Sequence, residues 1–191
     1  MVWAILNPAI HASVSEFADN PSDRACAIVG AAMVEEALHR ALELRLRPDG
    51  KRVDGSQIND ARDFFSVGGP MGEFTPKIKM AYLLGMMDEA AFTSMKAMAT
   101  VRNRFAHLLE VKSFDHPKIT GHLDNLILHT VYNEYPHPLH DGSSGEAVEP
   151  IPTGRDRFIV NARLMLVLLM RDTRLHIIHS NQFQPLPAPP V

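Results

Sequence analysis

The sequence has a single cysteine, Cys26, among 191 residues, so no disulfide can form within the chain and nothing indicates an oxidising compartment. It also lacks long apolar runs. Residues 1–17 have no basic region and too short an apolar run for a signal peptide, and Asp172 and Arg174 interrupt the longest apolar stretch near the C-terminus. We therefore expect a cytosolic protein without a membrane span.

Strong net charge is lacking as well. The formal charge is -3 and the pI is near 6.3, so the chain as a whole does not attract a phosphate backbone. Any role in nucleic-acid binding would need a local basic patch.

The motifs of common nucleotide and zinc enzymes are missing. The sequence has no GxxxxGK phosphate loop, no GxGxxG after a strand and no HExxH, which leaves nucleotide hydrolysis, dinucleotide binding and zincin chemistry without support. The stretch SVGGPMG, residues 66–72, lacks the lysine and hydroxyl residue that a phosphate loop needs, and we interpret it as a tight turn between two helices. We predict no cofactor.

Two groups of histidines have spacings that metal sites use. His137 and His140, with Asp141, lie in a predicted loop. His176 and His179 stand three positions apart on a predicted helix, where two ligands can face one ion. Neither group has a third ligand fixed by the sequence, so we interpret them as surface or packing histidines and predict no metal site.

Apolar residues recur at helical spacing almost throughout the chain, and no strand pattern or internal repeat is present. With 46% hydrophobic and 21% charged residues, the composition is that of a soluble globular protein of one domain. The predicted fold class is all-α: a single-domain bundle of roughly six or seven helices over residues 1–180. Residues 133–153 form a predicted Pro/Gly-rich loop, and residues 181–191 a proline-rich tail predicted to be disordered.

The clearest predicted helix covers residues 22–47. Ser22 is its expected N-cap and Pro48 to Gly50 its stop. A short helical piece is expected at 57–64. The apolar positions expected to form the buried face of the first helix are Cys26, Val29, Met33, Ala37 and Leu38.

Capping residues define the helices that follow. Thr75 as N-cap and Pro76 at the first helical position begin one helix, which ends near Gly85. Asp88 caps the next helix, which ends at His107, and the short link between the two predicts a hairpin.

Two more helices are predicted beyond the hairpin, over residues 118–132 and 154–180. The last is apolar enough from Phe158 to Met170 to be central to the core or buried in a partner interface.

The segment RNRFAH, residues 102–107, carries the densest set of chemically capable side chains. Arg102 and His107 are five positions apart, which on a regular helix separates their directions by roughly 140°. In a functional interpretation, Arg102 stabilises a phosphate and His107 moves a proton, as metal-independent RNA cleavage by the 2′-hydroxyl requires. That arrangement requires the helix to end or distort between them.

In a structural interpretation of the same segment, Arg102 pairs with Glu35 or Glu36, Asn103 hydrogen-bonds a loop carbonyl, and His107 caps the helix C-terminus. The two glutamates point about 100° apart, so we interpret them as part of a solvated helix face and not as a catalytic pair. Basic residues outnumber acidic ones nearby, which would allow a local basic patch; they are Lys77, Lys79, Lys96, Arg104 and Lys112, against Glu73, Asp88, Glu89 and Glu110.

Three motifs follow one another between Gly68 and Asp115. They are a G-P-M-G loop, a K-I-K-M-A-Y-L-L-G helix and the R-N-R-F-A-H ending, with motif residues Gly69, Pro70, Met71, Gly72, Lys77, Lys79, Tyr82, Arg102, Asn103 and His107. In this part, about a quarter of the chain, the sequence resembles the mannitol operon repressor family of bacteria. The resemblance implies an all-helical, non-enzymatic regulator that represses a sugar-alcohol uptake operon through protein partners. No basic recognition helix stands out, so direct DNA binding is not expected.

The R-N-x3-H pattern also resembles the motif of the HEPN superfamily, helical domains that include dimeric ribonucleases and many inactive binding modules. There the motif pairs across a dimer to form one composite site. Arg102, Asn103 and His107 match it position by position.

Three functions therefore stay open. A transcriptional regulator acting through protein contacts is favoured, and a HEPN-like ribonuclease or toxin component that uses Arg102 and His107 is the alternative. The third is an interaction domain in an unrelated stress or defence pathway. In each we expect a homodimer, because the methionine-rich segment from Lys79 to Val101 and the apolar last helix offer surplus hydrophobic surface.

Overall fold

The computed structural model describes residues 14–46, 64–130 and 154–179, with side chains described up to Leu169 in the last range. Within these ranges the chain is helical and has no strand, and the predicted all-α fold of about six helices is confirmed. Short helical residues 14–18 precede the first long helix. The longer helices are α1 (Asp23–Leu46), α2 (Phe74–Leu83), α3 (Glu89–His107), α4 (Pro117–Leu123) and α5 (Gly154–His179).

Helix α1 begins where the sequence predicts and packs most extensively on α5. Ser22 Oγ accepts a hydrogen bond from the backbone N–H of Ala25 at 3.3 Å, which confirms Ser22 as the N-cap. At Gly30, an added Cβ would stand 3.1 Å from the rings of Phe17 and Phe158. Glycine at this position therefore lets the two aromatic side chains lie directly against the α1 backbone.

The buried face of α1 is broader than predicted and centred on small residues. Val29, Met33 and Ala37, three of the expected core positions, are only partly buried. Small residues lie at the centre of this face because α5 packs closely against it. The hydropathy pattern does not predict how closely two helices approach. The buried residues are Cys26, Ala27, Gly30, Ala31, Val34, Leu38, Ala41 and Leu42.

Helices α2 and α3 pack against each other in the predicted hairpin. Asp88 caps α3 as expected, with its Oδ1 accepting from the N–H of Ala91 at 2.8 Å. The predicted start of α2 is wrong by two residues, because the helix begins at Phe74 and Thr75 is not its N-cap. Phe74 is buried, and packing it into the core draws it into the first turn. Pro76 is still tolerated because first-turn N–H groups have no intrahelical partner.

The helix predicted over 118–132 is broken. Helix α4 ends at Leu123, and helical backbone resumes only at 128–130. Ser94 Oγ of α3 accepts from the N–H groups of residues 127 and 128 at 3.0 and 3.1 Å. Asn161 Nδ2 of α5 donates to the carbonyl of Leu126 at 3.3 Å. These two buried side chains satisfy the backbone groups that the break releases, so the chain can turn there.

A single hydrophobic core joins residues of all five helices. At its centre Phe114 packs edge-on against Phe105, with ring centroids 5.0 Å apart, and lies 5.3 Å from the Phe158 ring. Met95 and Met98 of α3 are also buried here. These methionines fill the core and leave less apolar surface on the hairpin than the dimer prediction supposed.

Some sequence predictions concern parts of the chain outside the described residues. These are most of the helical piece at 57–64, the loop at 133–153, the tail at 181–191, the loop group His137, His140 and Asp141, and the side chains of His176 and His179.

Two glycine substitutions should change stability in opposite directions. An alanine Cβ at Gly72 would stand 2.4 Å from the backbone carbonyl oxygen of Ser66, which cannot yield. We expect Gly72→Ala to cost about 2 kcal/mol in the free energy of unfolding. Gly121 lies in α4 with open space around it, and Gly121→Ala should add about 0.5 kcal/mol by its helix propensity. Urea denaturation measures both, and a Gly72→Ala variant as stable as wild type would contradict the packing of the loop.

Candidate functional site

The segment RNRFAH forms the last turns of α3. The helix stays continuous to His107 and its C-cap is Leu108, so the distortion that would bring Arg102 and His107 together within one chain is not observed. On this regular helix the two side chains point roughly 140° apart. Asn103 and His107, separated by four residues, lie on one exposed face of α3.

Arg102 is bound to a carboxylate of α1. Its Nη2 lies 3.0 Å from Glu35 Oε2, which is the pairing that the structural interpretation predicts. Its Nη1 donates to Asn103 Oδ1 at 2.9 Å. Among the described residues the Asn103 amide nitrogen donates to no loop carbonyl, so the hydrogen bond that the structural interpretation predicts is not observed; the contact that Asn103 makes is through its oxygen.

Lys77 of α2 completes the same arrangement. Its Nζ lies 2.8 Å from Glu35 Oε1 and 3.4 Å from the Gly72 carbonyl oxygen. Lys77 is only 5% exposed, and a lysine at that depth must be paired to stay charged. We call Glu35, Lys77 and Arg102 the Glu35 cluster.

The Glu35 cluster ties three helices and one loop together. Its members come from α1, α2 and α3, and the carbonyl of Gly72 belongs to the G-P-M-G loop. Within that loop, the N–H of Met71 donates to Phe64 and the N–H of Gly72 to Gly69. The two cations exceed the single carboxylate by one positive charge.

The two adjacent glutamates of α1 differ in environment. Glu36 is exposed and makes an i, i+4 ion pair with Arg40 at 2.8 Å, as expected for a solvated helix face. The same interpretation is wrong for Glu35, whose side chain is 15% exposed and holds two cations. The 100° between successive residues turns one glutamate to solvent and the other to the hairpin.

His107 does not cap α3. It is exposed and has no hydrogen bond or ion pair with any residue in the described part of the chain. Arg24, from the first turn of α1, takes that role. Its guanidinium donates to the carbonyl of Phe105 and, at 3.1, 3.2 and 2.8 Å, to the carbonyls of Leu108, Leu109 and Val111.

Arg24 is a site residue that the sequence reasoning missed. One local signal points to it, because a cation in the first turn opposes the helix dipole and so needs another reason to be there. Asp23 beside it pairs with Arg155 of α5 and accepts from the N–H of Phe114 at 3.1 Å. The start of α1 thereby holds both the end of α3 and the start of α5.

A second polar cluster lies at the break after α4. Asn161 is fully buried, and its Nδ2 donates to the carbonyl of Arg157 at 2.8 Å and lies 3.0 Å from His129 Nδ1. Burial, followed by the nearby charge of Arg157, lowers the pKa of His129. The lowered pKa favours the neutral ring, which is the form whose Nδ1 can accept from the Asn161 amide. Sequence reasoning assigned nothing to either residue.

The lysines of the predicted basic patch differ in exposure. Lys77 is buried in the Glu35 cluster, whereas Lys79, Lys96 and Lys112 are exposed. The Lys96 ammonium lies 5.2 Å from the centroid of the Phe92 ring.

The described residues show neither a metal-ligand group nor a membrane-spanning helix. Among the described residues, no three His, Cys, Asp or Glu side chains lie close enough together to hold an ion. Cys26 is buried, and burial raises the pKa of its thiol to about 11. Within residues 14–46, 64–130 and 154–179, no helix has both the length and the apolar character to span a membrane.

Comparison with known proteins identifies no relative. No protein-family model, no curated protein and no solved structure matches the chain. The resemblance to the mannitol operon repressor family and to the HEPN motif therefore stays a prediction from the motifs themselves.

Proposed function

We propose that this protein is a non-enzymatic regulator, resembling the mannitol operon repressor, that acts in transcriptional repression as a homodimer through a protein partner in the cytosol. The observation that carries the proposal is the Glu35 cluster. Gly72, Lys77 and Arg102 come from the three separate motifs of the resemblance, and all three meet at or beside Glu35. Motifs that converge on an internal ion-pair network maintain an architecture, and that leaves the surface for partner binding.

The charge of the chain supports the same proposal. The net charge of -3 gives the chain as a whole no attraction for a phosphate backbone, and Lys77, one of the lysines of the hairpin, is buried against Glu35. A regulator of this kind reaches DNA through a partner that reads it. The polyol specificity in this proposal comes from the resemblance alone.

The decisive experiment is deletion of the gene in the bacterium that encodes it, with transcripts measured with and without sugar alcohols. We expect derepression of a sugar-alcohol uptake operon, reversed by the wild-type gene and equally by His107→Ala. Unchanged transcripts after deletion would contradict the proposal. A captured partner combined with unchanged transcripts would favour the interaction domain of an unrelated stress or defence pathway.

A metal-independent ribonuclease, alone or as a toxin component, is the second candidate. One observation favours it: Asn103 and His107 share an exposed face of α3 next to the Arg102 guanidinium, and His107 has no partner among the described residues. Two copies would have to combine Arg102 of one chain with His107 of the other, because the two diverge on one helix.

RNA cleavage distinguishes the two candidates. We expect purified protein at micromolar concentration to leave a labelled mixed-sequence RNA intact in EDTA, because Arg102 is held by Glu35 and points away from His107. His107→Ala and the control His122→Ala should behave like wild type, with matched circular dichroism. Cleavage by wild type and His122→Ala that His107→Ala abolishes would establish the second candidate.

A further inference from the structure

The turn between α2 and α3 exposes consecutive apolar side chains. Gly85 has a φ of +67°, and the N–H groups of Gly85 and Met86 donate to the carbonyls of Tyr82 and Ala81. This pattern is a Schellman motif, which stops a helix abruptly and reverses the chain. The reversal leaves Leu83 80% exposed and Leu84 42% exposed.

These leucines and the apolar residues beside them in the turn form a surface that we call the turn patch. Tyr82 is 40% exposed and stacks on Phe92 of α3, with ring centroids 4.4 Å apart. Contiguous exposed apolar surface on a small protein marks an interaction site, whereas single exposed residues such as Val67 and Leu109 need no explanation. The residues of the turn patch are the exposed Tyr82, Leu83 and Leu84 and the half-buried Met86, Met87 and Phe92, which also pack against the core.

Charges of opposite sign flank the turn patch. On α3, Glu89, Phe92 and Lys96 stand at i, i+3 and i+7 and so share one face, with the phenyl ring between the two charges. On α2, Lys79 lies one turn before Leu83 on the same face. All the flanking side chains are exposed and form no ion pair within the described residues. We call Asp88 and Glu89 the acidic pair and Lys79 and Lys96 the lysine pair.

This order of charges is self-complementary. The acidic pair lies at the tip of the hairpin and the lysine pair lies roughly 10 Å further along it, with the turn patch between them. A two-fold axis through the turn patch reverses the order, so that the acidic pair of one copy meets the lysine pair of the other. Isologous contacts of this kind are the commonest way in which soluble chains pair.

We propose that the turn patch is the interface of the homodimer, closed by a second copy of this chain with the acidic pair of each copy against the lysine pair of the other. The inference rests on the dimer included in the proposed function and names its surface. This interface also bears on the ribonuclease candidate. Phe92 and Arg102 are separated by roughly 15 Å along α3, so a dimer through the turn patch keeps the two RNRFAH segments apart.

The test is the oligomeric state of the full chain by sedimentation velocity over a range of micromolar concentrations. Wild type should be a dimer, and Leu83→Asp should weaken dimerisation by about 30-fold or more, as expected for a central apolar anchor. Leu109→Asp is the matched control, because Leu109 is 81% exposed and lies just beyond the C-terminal end of α3, away from the turn. It should dimerise like wild type. A monomeric wild type, or a Leu83→Asp variant that dimerises like the control, overturns the proposal.

Charge reversal tests the two-fold pairing. Glu89→Lys and Lys96→Glu should each weaken the homodimer by about tenfold, because each puts like charges opposite one another. An equimolar mixture of the two variants should form a heterodimer, because both cross-pairs are then of opposite sign; native mass spectrometry resolves it by mass. If homodimers and heterodimers form in statistical proportions, the acidic pair of one copy does not face the lysine pair of the other.

The outcomes separate this inference from the proposed function. Loss of operon control by Leu83→Asp, with the dimer lost and the fold intact, supports both. If Leu83→Asp leaves the dimer intact while operon control by the protein holds, the interface is wrong and the regulator stands. If deletion of the gene changes no transcript while Leu83→Asp dissociates the dimer, the interface stands and the regulator is wrong.

Discussion

Glu35→Gln is expected to lower the free energy of unfolding by about 3 kcal/mol, because Glu35 carries the one carboxylate among the described residues that holds Lys77 and Arg102. The buried ammonium of Lys77 would keep only the Gly72 carbonyl, at 3.4 Å. Leaving a charge buried without its counter-ion is one of the most costly single changes a protein can suffer. Urea denaturation at neutral pH measures the loss.

Glu36→Gln is the matched control for this prediction. Its carboxylate is the next one along α1, but it is more than half exposed and pairs only with Arg40 on the surface. Such pairs contribute at most about 0.5 kcal/mol. If Glu35→Gln costs no more than Glu36→Gln, the cluster does not hold the hairpin to α1.

A second variant separates charge from packing. Lys77→Met in the Glu35→Gln background removes the unpaired cation and keeps an apolar side chain of similar length. It should recover at least half of the lost stability, because most of the penalty comes from the uncompensated ammonium. Failure to recover would assign the effect of Glu35→Gln to altered packing at the α1 surface.

Arg24→Met is expected to cost about 2 to 3 kcal/mol, since it removes the guanidinium that binds four carbonyl groups around the end of α3. One of these, the Leu108 carbonyl, also accepts from the N–H of Val111 at 3.1 Å. Arg24→Lys should recover only a small part, because one ammonium cannot reach four carbonyls as a planar guanidinium does. Besides urea denaturation, amide hydrogen exchange should speed up at residues 105–111 before the rest of the core opens.

Arg40→Met controls for the loss of an arginine from α1. Arg40 is 72% exposed, and its one ion pair within the described residues is with Glu36, so its replacement should change stability by less than about 0.5 kcal/mol. Equal effects of Arg24→Met and Arg40→Met would show that the contacts of Arg24 add nothing to the stability of the bundle.

The sequence alone determined those helix ends that carry a capping residue. Ser22 and Asp88 both act as N-caps as predicted. Gly85, with its positive φ, follows the C-cap of α2, and the helix ends close to it as expected. Each of these signals acts within one turn of its own position, so no knowledge of distant residues is needed to recognise it. The all-α class follows from the same short-range periodicity.

Tertiary contacts determined the helix boundaries that local signals do not predict. The helix expected over 118–132 is broken because Ser94 and Asn161, each more than thirty residues away, bind the backbone at residues 126–128. Helix α2 begins two residues before the predicted start because Phe74 packs into the core.

The candidate site depended on the tertiary structure almost entirely. Periodicity identified Arg102 and two adjacent glutamates, but only the placement of α1 against the hairpin selected Glu35 and added Lys77. Arg24 reaches carbonyls 81 to 87 residues away, a distance over which sequence spacing carries no directional information. Sequence alone determined the helices and their caps through interactions within a single turn. The bundle decided which charged side chains meet, because that depends on how the helices pack.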